Sequence, residues 1–329
     1  MTTPAIQSLV KQSFVTEVMR PASAVRKLFH KEQGSWENDR KRIQEMDRER
    51  FAETKVEGQD SAQRGISQGY YKEIVRKTIS VERLISGEQF KALTAHKLSQ
   101  MATQVGADVV DKIELDMRNF IGLGDATSYT DNGGFTIDTT VGDGFALFYT
   151  AHTLKNVADT YSNVLTGNPP LSEDSMEDGE DFFNYSVRDN NNQPIAMSPN
   201  TLITSNKAQM KNRAKRLLRS LSPETINGTS NDNAGVVNVY KDKYEHLVVD
   251  FDQTAFGVPN TSLSFYWFLA CIGGMPESSF QAYYVSWLSP ETAPVEVDQS
   301  AWTLSFVARA CYGIGAVSGK GIVVAKATA

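Results

Sequence analysis

The sequence predicts an α+β fold preceded by a long arm that has no core of its own. Residues 86–121 repeat their apolar side chains at helical spacing, and the residues from 236 onward alternate as β-strands do. The first 85 residues hold few apolar side chains in a regular pattern. A chain of 329 residues also suits about two domains.

The composition is that of a globular protein that is not built to hold nucleic acid tightly. The 33 Lys and Arg residues against 39 Asp and Glu residues give a net charge of -6, whereas free-standing nucleic-acid binders are usually basic. We expect a soluble protein made in a cytoplasm, because we find neither a secretory signal nor an apolar stretch of membrane-spanning length. Cys271 and Cys311 have no metal-ligand spacing and are expected to be buried free thiols.

The N-terminal arm covers residues 1–52. Its mixed-charge run, 37–50, has too few apolar residues to bury a core. A solvated helix is the favoured interpretation of this run, and an arm ordered by another subunit is the alternative. Residues 53–85 then predict a long two-stranded ribbon with a polar tip around 60–65. An isolated ribbon is marginally stable, so we expect it to pack on something else.

The clearest local pattern predicts one helix over residues 86–121. Ser86 and Gln89 form a capping-box pattern, and Gly122 and Gly124 end the helix. Such a helix would be about 50 Å long. The apolar residues that define it follow at steps of mostly three or four: Phe90, Leu93, Leu98, Met101, Val105, Val109, Ile113, Met117 and Phe120.

The middle of the chain predicts short strands and two further helices. The turn 132–134 separates two strands, and Ser172 caps a helix from Leu171 to about Arg188. A strand over 195–204 precedes a helix that Ser205 caps and that reaches Leu221.

This last helix carries basic residues and no acidic ones. A solvated face is the favoured interpretation, and contact with DNA phosphates or with the acidic surface of a neighbouring subunit is the alternative. The basic stripe consists of Lys207, Lys211, Lys215 and Arg219.

The sequence holds no recognisable catalytic motif. None of the four histidines has metal-ligand spacing, and His152 is expected to be a hydrogen-bonded structural residue. Neither a nucleophile elbow nor a phosphate-binding loop is present. We therefore expect no enzymatic activity, no metal and no cofactor.

Residues 142–154 resemble a segment of the major capsid proteins of tailed bacteriophages. In that family a DG-x-A-L-F segment is followed by Ser or Thr, a small residue, His and often Pro-Leu, and Thr153 here stands in the place of the proline. Further short stretches resemble the family in the same order along the chain: 161–165, 171–173, 200–203, 247–249, 266–269 and 312–317.

The resemblance implies a Hong Kong 97-like capsid fold. The parts that it implies are an N-terminal arm (1–52), an extended β-hairpin loop (53–85), a peripheral domain (86–149) with a spine helix (86–121), an axial domain (150–290) and a C-terminal β segment (291–329) that returns to the peripheral domain.

The implied function is a major capsid protein that self-assembles into the hexamers and pentamers of an icosahedral shell around double-stranded DNA. The protein would lie in the virion after synthesis in the host bacterial cytoplasm, with weak direct DNA contact and no membrane contact. Its partners would be itself, a portal and decoration proteins. Because only about 50 residues precede the extended loop, we expect a separate scaffolding protein. An encapsulin-like cellular compartment of the same fold is the alternative, distinguished by what the shell contains.

The candidate contacts between subunits lie on the arm and the loop. They are Arg40, Arg42, Arg48, Gln68, Tyr70, Tyr71 and Lys72. Some family members form a Lys–Asn cross-link, with the asparagine in the late peripheral segment. No asparagine follows Asn260 here, so we expect no such cross-link and no catalytic role for Lys72 or Lys77.

Overall fold

A computed structural model describes residues 3–19, 23–48, 66–92, 94–195, 197–220, 238–273, 279–292, 296–298 and 303–328. The helices are α1 (Thr3–Val18), α2 (Gly87–Ala92), α3 (Ala95–Gly122), α4 (Glu173–Asp181) and α5 (Ala208–Arg219). The strands are β1 (His30–Gln33), β2 (Arg40–Arg48), β3 (Ile66–Val75), β4 (Lys77–Ser86), β5 (Ser128–Thr130), β6 (Thr136–Asp138), β7 (His152–Thr153), β8 (Thr160–Tyr161), β9 (Thr201–Thr204), β10 (Glu245–Val248), β11 (Trp267–Ala270), β12 (Ala282–Thr292), β13 (Glu296–Asp298), β14 (Thr303–Ala316) and β15 (Ile322–Ala325).

The largest sheet runs in the order β1-β12-β14-β13, with β4 also paired to β14. Strand β4 is antiparallel to β14 over its whole length, from Lys77 opposite Tyr312 to Ser86 opposite Thr303. The long helix α3 packs against this sheet and buries one apolar face, which includes Val109, Ile113 and Phe120. The long helix and the β-strands that these two periodicities predict therefore pack together in one hydrophobic core.

The single helix predicted over 86–121 is wrong, because the structure has two helices. The predicted capping box opens the first of them: Gln89 N donates to Ser86 Oγ at 3.2 Å. A second cap, Thr94, then opens α3, and its Oγ1 accepts from Lys97 N at 3.4 Å. Threonine at this point has an extended backbone and satisfies a free N–H group of the new helix, which explains the break. The 28 residues of α3 span about 42 Å.

The N-terminal residues belong to the core, which corrects the prediction of an arm without one. Helix α1 lies on α3, and its Val10 and Phe14 are buried. Gly106 of α3 makes room for Phe14, since a Cβ at that position would lie 3.1 Å from the Phe14 ring. Val25 and Leu28 of the short 3₁₀-helix that follows are also buried. Val10 and Phe14 are four residues apart, which places them on one face of a helix, so the spacing that predicts α1 was present in the sequence.

The mixed-charge run is a strand, so the favoured solvated helix over 37–50 is wrong for 40–48. Strand β2 pairs antiparallel with β3, and these two strands are called the ribbon below. The ribbon thus starts earlier than the predicted 53–85, and β4 belongs to the large sheet instead. Pairs across the two strands stabilise such charged sequences in β form. The predicted tip at 60–65 lies outside the described residues.

A second sheet, in the order β10-β9-β11-β15, separates two hydrophobic clusters. Successive side chains of a strand point to opposite faces. Phe268 accordingly enters the cluster shared with α3, while Trp267 and Leu269 enter a cluster that α4 and α5 cover. The division into peripheral and axial domains itself stays a prediction.

Several local predictions for this region are confirmed. The turn 132–134 joins β5 and β6, and Ser172 caps α4 with a reciprocal bond to Ser175. The α-helical part of the predicted helix ends at Asp181, and a π-helical turn follows it from Phe182 to Ser186. Two other predictions are corrected. The strand predicted over 195–204 is confined to Thr201–Thr204, and Ser205 does not cap α5, because the residue before the helix is Lys207 and its side chain makes no capping bond.

The two cysteines and the hydropathy of the helices were also considered in the sequence, and the structure describes both. Cys271 and Cys311 are buried thiols outside any disulfide, as predicted. In the part of the chain that the structure describes, no helix combines the length and apolar character needed to cross a bilayer.

Candidate assembly surfaces

The ribbon has two faces with different surroundings. Residues alternate along β3, so that Tyr70, Lys72 and Ile74 face the rest of the chain while Tyr71 and Glu73 face outward. The inward face is bound to the chain's own body at several points. Of the predicted subunit contacts on the ribbon, those on the outward face are accessible to a neighbouring subunit.

A buried ion pair anchors the inward face of β2. Lys320 Nζ lies 2.7 Å from Glu45 Oε1, and the two side chains are only 4% and 3% exposed. Asn190 Nδ2 donates to the other carboxylate oxygen, Oε2, at 2.7 Å. Both oxygens of the buried Glu45 are therefore paired, as a buried charge requires.

Lys72 and Tyr70 anchor the inward face of β3. Lys72 Nζ donates to Asp138 Oδ2 at 2.5 Å and to Thr140 Oγ1 at 2.7 Å. Burial lowers the pKa of Lys72, although its bond to Asp138 acts in the opposite direction. The Tyr70 hydroxyl lies 3.0 Å from Thr153 Oγ1. These two predicted contact residues are thus engaged within their own chain, because strand alternation turns them inward.

A compact cluster of charges lies where the ribbon meets the large sheet. Lys77, the first residue of β4, pairs with Asp116 of α3 at 2.6 Å and also with Asp131. Lys112 lies 2.8 Å from Asp116, and Tyr312 donates its hydroxyl hydrogen to Asp116 at 2.5 Å. The two lysines balance the two carboxylates. Although burial acts to raise it, the bonds from Lys77 and the Phe135 N–H lower the pKa of Asp131 to about 2.

The outward face of the ribbon is polar and aromatic. Arg40 Nη1 lies 3.1 Å from Glu73 Oε2, and the Arg42 guanidinium carbon lies 3.8 Å from the centre of the Tyr71 ring. The Tyr71 side chain is exposed.

Gln68 and Arg48 complete the predicted contacts on the ribbon. Gln68 Oε1 accepts from Gln44 Nε2 at 3.2 Å, and its backbone carbonyl accepts from Lys155 Nζ at 2.9 Å. Arg48 is opposite Ile66 in the strand register, and its side chain lies outside the described part.

Three residues of the predicted basic stripe lie on α5, and Lys207 directly precedes the helix. Lys207 Nζ lies 3.6 Å from the centre of the Phe265 ring, and Lys211 Nζ donates to Asn206 Oδ1 at 2.7 Å. Lys215 and Arg219 are exposed. Together with burial, which acts most strongly, these two cations lower the pKa of His246.

Sequence reasoning missed the inward anchors of the ribbon. Glu45 sits in a run of charges that resembles a solvated surface, and Lys320 is 275 residues away. Strand alternation within 40–48 was the only signal that Glu45 faces inward.

His152 has the surroundings of a structural histidine, as predicted. It is buried and lies 2.8 Å from Asp143. Among the described residues, no group of three or more His, Cys, Asp or Glu side chains is arranged to hold a metal ion.

Comparisons with known proteins identify the fold. No family model matches the chain, and no curated protein sequence matches it. The capsid structure of cyanophage P-SCSP1u matches with a TM-score of 0.52 and 10% identity, over 93% of this chain and 88% of that chain. The mature capsid of bacteriophage PhiM1 matches with a TM-score of 0.50 and 11% identity, over 93% and 87%. The capsid of Myoviridae phage XM1 matches with a TM-score of 0.50 and 9% identity, over 91% and 88%. The chain therefore has the fold of these phage capsid chains.

Proposed function

We propose that the chain is the major capsid protein of a tailed bacteriophage, a structural protein without catalytic activity. It self-assembles into the hexamers and pentamers of an icosahedral shell that encloses double-stranded DNA. The observation that carries this proposal is the agreement in fold with three phage capsid chains over 91–93% of this chain.

The two faces of the ribbon support a role in assembly. The buried Glu45–Lys320 pair and the partly exposed Lys72–Asp138 pair hold the inward face in place, so the outward face is presented as a rigid surface. A prepositioned surface loses less conformational freedom when a neighbour binds it. Its mixed charges set the register between partners more than they add affinity. Arg40, Arg42 and Tyr71 are the residues that we assign to this contact.

The net charge of -6 supports weak contact with the enclosed DNA. Tight binding to phosphates depends on clustered Lys and Arg residues that release counterions. A shell confines its DNA mechanically and has no need of such binding. The separate scaffolding protein, the portal, the decoration proteins and the location in the virion all belong to this proposal.

The proposal is tested by assembly of the purified chain, with and without co-expressed scaffolding protein. We expect closed particles of uniform size in light scattering and cryo-electron microscopy. Monomers under all assembly conditions would rule the proposal out. The absorbance ratio at 260 and 280 nm of particles from infected cells then reports their content, and particles filled with a protein cargo would favour the encapsulin-like alternative.

A further inference from the structure

Helix α4 presents a strip of carboxylates to the solvent. Its nine residues contain six acidic side chains and no basic ones. Four of these acidic residues are exposed and follow at helical spacing on one face, and they are called the acidic strip: Asp174, Glu177, Asp178 and Asp181. Asp174 lies in the first turn, where the helix dipole favours a carboxylate. The other pairs of carboxylates three or four residues apart repel one another, and this repulsion is relieved when cations bind the strip.

Helix α5 presents the opposite charge. Five of its twelve residues are Lys or Arg and none is acidic. Its exposed basic face consists of Lys215, Arg216 and Arg219. Within the described ranges, none of these three side chains forms an ion pair.

The two helices cover the same face of the four-stranded sheet. Helix α5 contacts β9 and the edge strand β10, whereas α4 lies over β11, where a Cβ on Gly179 would be 3.2 Å from Leu269. In the described part of one copy, no ion pair joins the acidic strip of α4 to the basic face of α5. Instead Glu180, on the flank of α4, pairs with Lys243 at 2.7 Å. The basic face and the acidic strip are thus displaced from each other along the sheet.

We propose that the basic face of α5 docks on the acidic strip of α4 in the next copy of this chain. The contact uses two different surfaces, so it is head-to-tail, and repetition of such a contact closes a ring when the rotation permits. The proposal rests on the proposed function and identifies one contact of the assembling shell.

A second copy is a better occupant than DNA for two reasons. The chain itself carries an acidic strip that complements the charge of the basic face. The chain as a whole carries a net charge of -6, which disfavours the approach of the phosphates of DNA. Exposed ion pairs are individually weak, so a single contact stays reversible while a ring accumulates several of them. Such a contact also weakens as the salt concentration rises.

Charge reversal with a swap tests this contact in the full chain. The first variant is Lys215→Glu/Arg219→Glu, the second is Asp174→Lys/Asp178→Lys, and the third combines all four substitutions. We expect each reversal to lower the yield of sedimenting particles by about tenfold, and the combination to restore it. The matched control, Lys215→Arg/Arg219→Lys, keeps both charges and assembles like the wild type. Circular dichroism establishes that each variant is folded.

The outcomes separate this inference from the proposed function. If the wild type forms shells and both reversals form them equally well, the α4–α5 contact is wrong while the capsid function stands. If the α5 reversal abolishes assembly, the swap fails to restore it and fluorescence anisotropy shows lost binding to duplex DNA, α5 contacts phosphate instead. If the wild type forms no particles, both proposals fail.

Zero-length cross-linking tests the contact without any substitution. A carbodiimide joins a lysine to a carboxylate only where they touch, and assembly from mixed ¹⁴N and ¹⁵N copies marks which chain each peptide comes from. We expect Lys215 joined to the acidic strip in peptides of mixed isotope. Joined peptides of one isotope only, or none between these helices, would overturn the contact.

Discussion

The inward and outward faces of the ribbon both carry ion pairs of a basic and an acidic residue, but these pairs differ in burial and in their effect on stability. Glu45–Lys320 on the inward face is 3–4% exposed, whereas Arg40–Glu73 on the outward face is 66% and 43% exposed. A buried charge that loses its partner is strongly destabilising, while an exposed pair contributes little. The difference shows that the inward face fixes the position of the ribbon and that the outward face is left for a partner.

The largest effect is expected from Lys320→Met. The substitution keeps much of the side-chain volume but leaves the Glu45 carboxylate buried, with Asn190 as its remaining partner among the described residues. We expect the free energy of unfolding to fall by about 3–5 kcal/mol. Urea denaturation followed by circular dichroism measures the change.

A second substitution shows whether the charge is responsible. Glu45→Gln in the Lys320→Met background removes the unpaired charge and keeps an acceptor for Asn190, so it recovers part of the lost stability. Arg40→Ala on the outward face is the matched control, with a change below about 1 kcal/mol. Equal losses from Lys320→Met and Arg40→Ala would erase the distinction between the two faces.

Packing on the inward face is tested by Gly313→Ala. A Cβ at this position would lie 2.6 Å from both Ile74 Cγ2 and the backbone oxygen of Val75, which is a rigid neighbour. Overpacking of this kind costs about 1–3 kcal/mol in the free energy of unfolding. Gly133→Ala is the control, since its Cβ would meet only Asp131 Oδ1 at 3.4 Å. Thermal melting compares the two, and equal melting temperatures would show that the ribbon is not packed tightly on β14.

The pH dependence probes the charge cluster at the base of the ribbon. The pKa of Asp131 is lowered from 3.8 to about 2 in the folded chain, so the unfolded chain binds this proton first as the pH falls. The stability that Asp131 contributes is therefore complete above about pH 4 and is lost between about pH 4 and pH 2. We expect Asp131→Asn to be less stable than the wild type at neutral pH. It should also lose stability less steeply in this acid range when urea midpoints are measured. An unchanged slope would show that Asp131 is not held ionised by Lys77.

The sequence predicted those parts of the fold that local patterns determine. The caps at Ser86 and Ser172, the turn at 132–134 and the end of α3 near Gly122 all depend on neighbours within a few residues. The anchors of the ribbon depend on residues far apart in the chain, such as Glu45 and Lys320, and no local pattern connects them. The strand character of 40–48 was missed for the same reason, because its stability comes from pairs across to β3.

The smallest effect on stability is expected from Arg42→Ala on the outward face. A cation above an aromatic ring at an exposed site contributes about 0.5–1 kcal/mol, so the free energy of unfolding changes by no more than that. If the outward face contacts a neighbour, the same substitution slows particle formation in light scattering far more than its stability change explains. Arg42→Lys is the matched control, which keeps the charge but loses the planar contact with Tyr71. A loss of stability as large as that of Lys320→Met, or particle formation at the wild-type rate, would show that the outward face is not reserved for a partner.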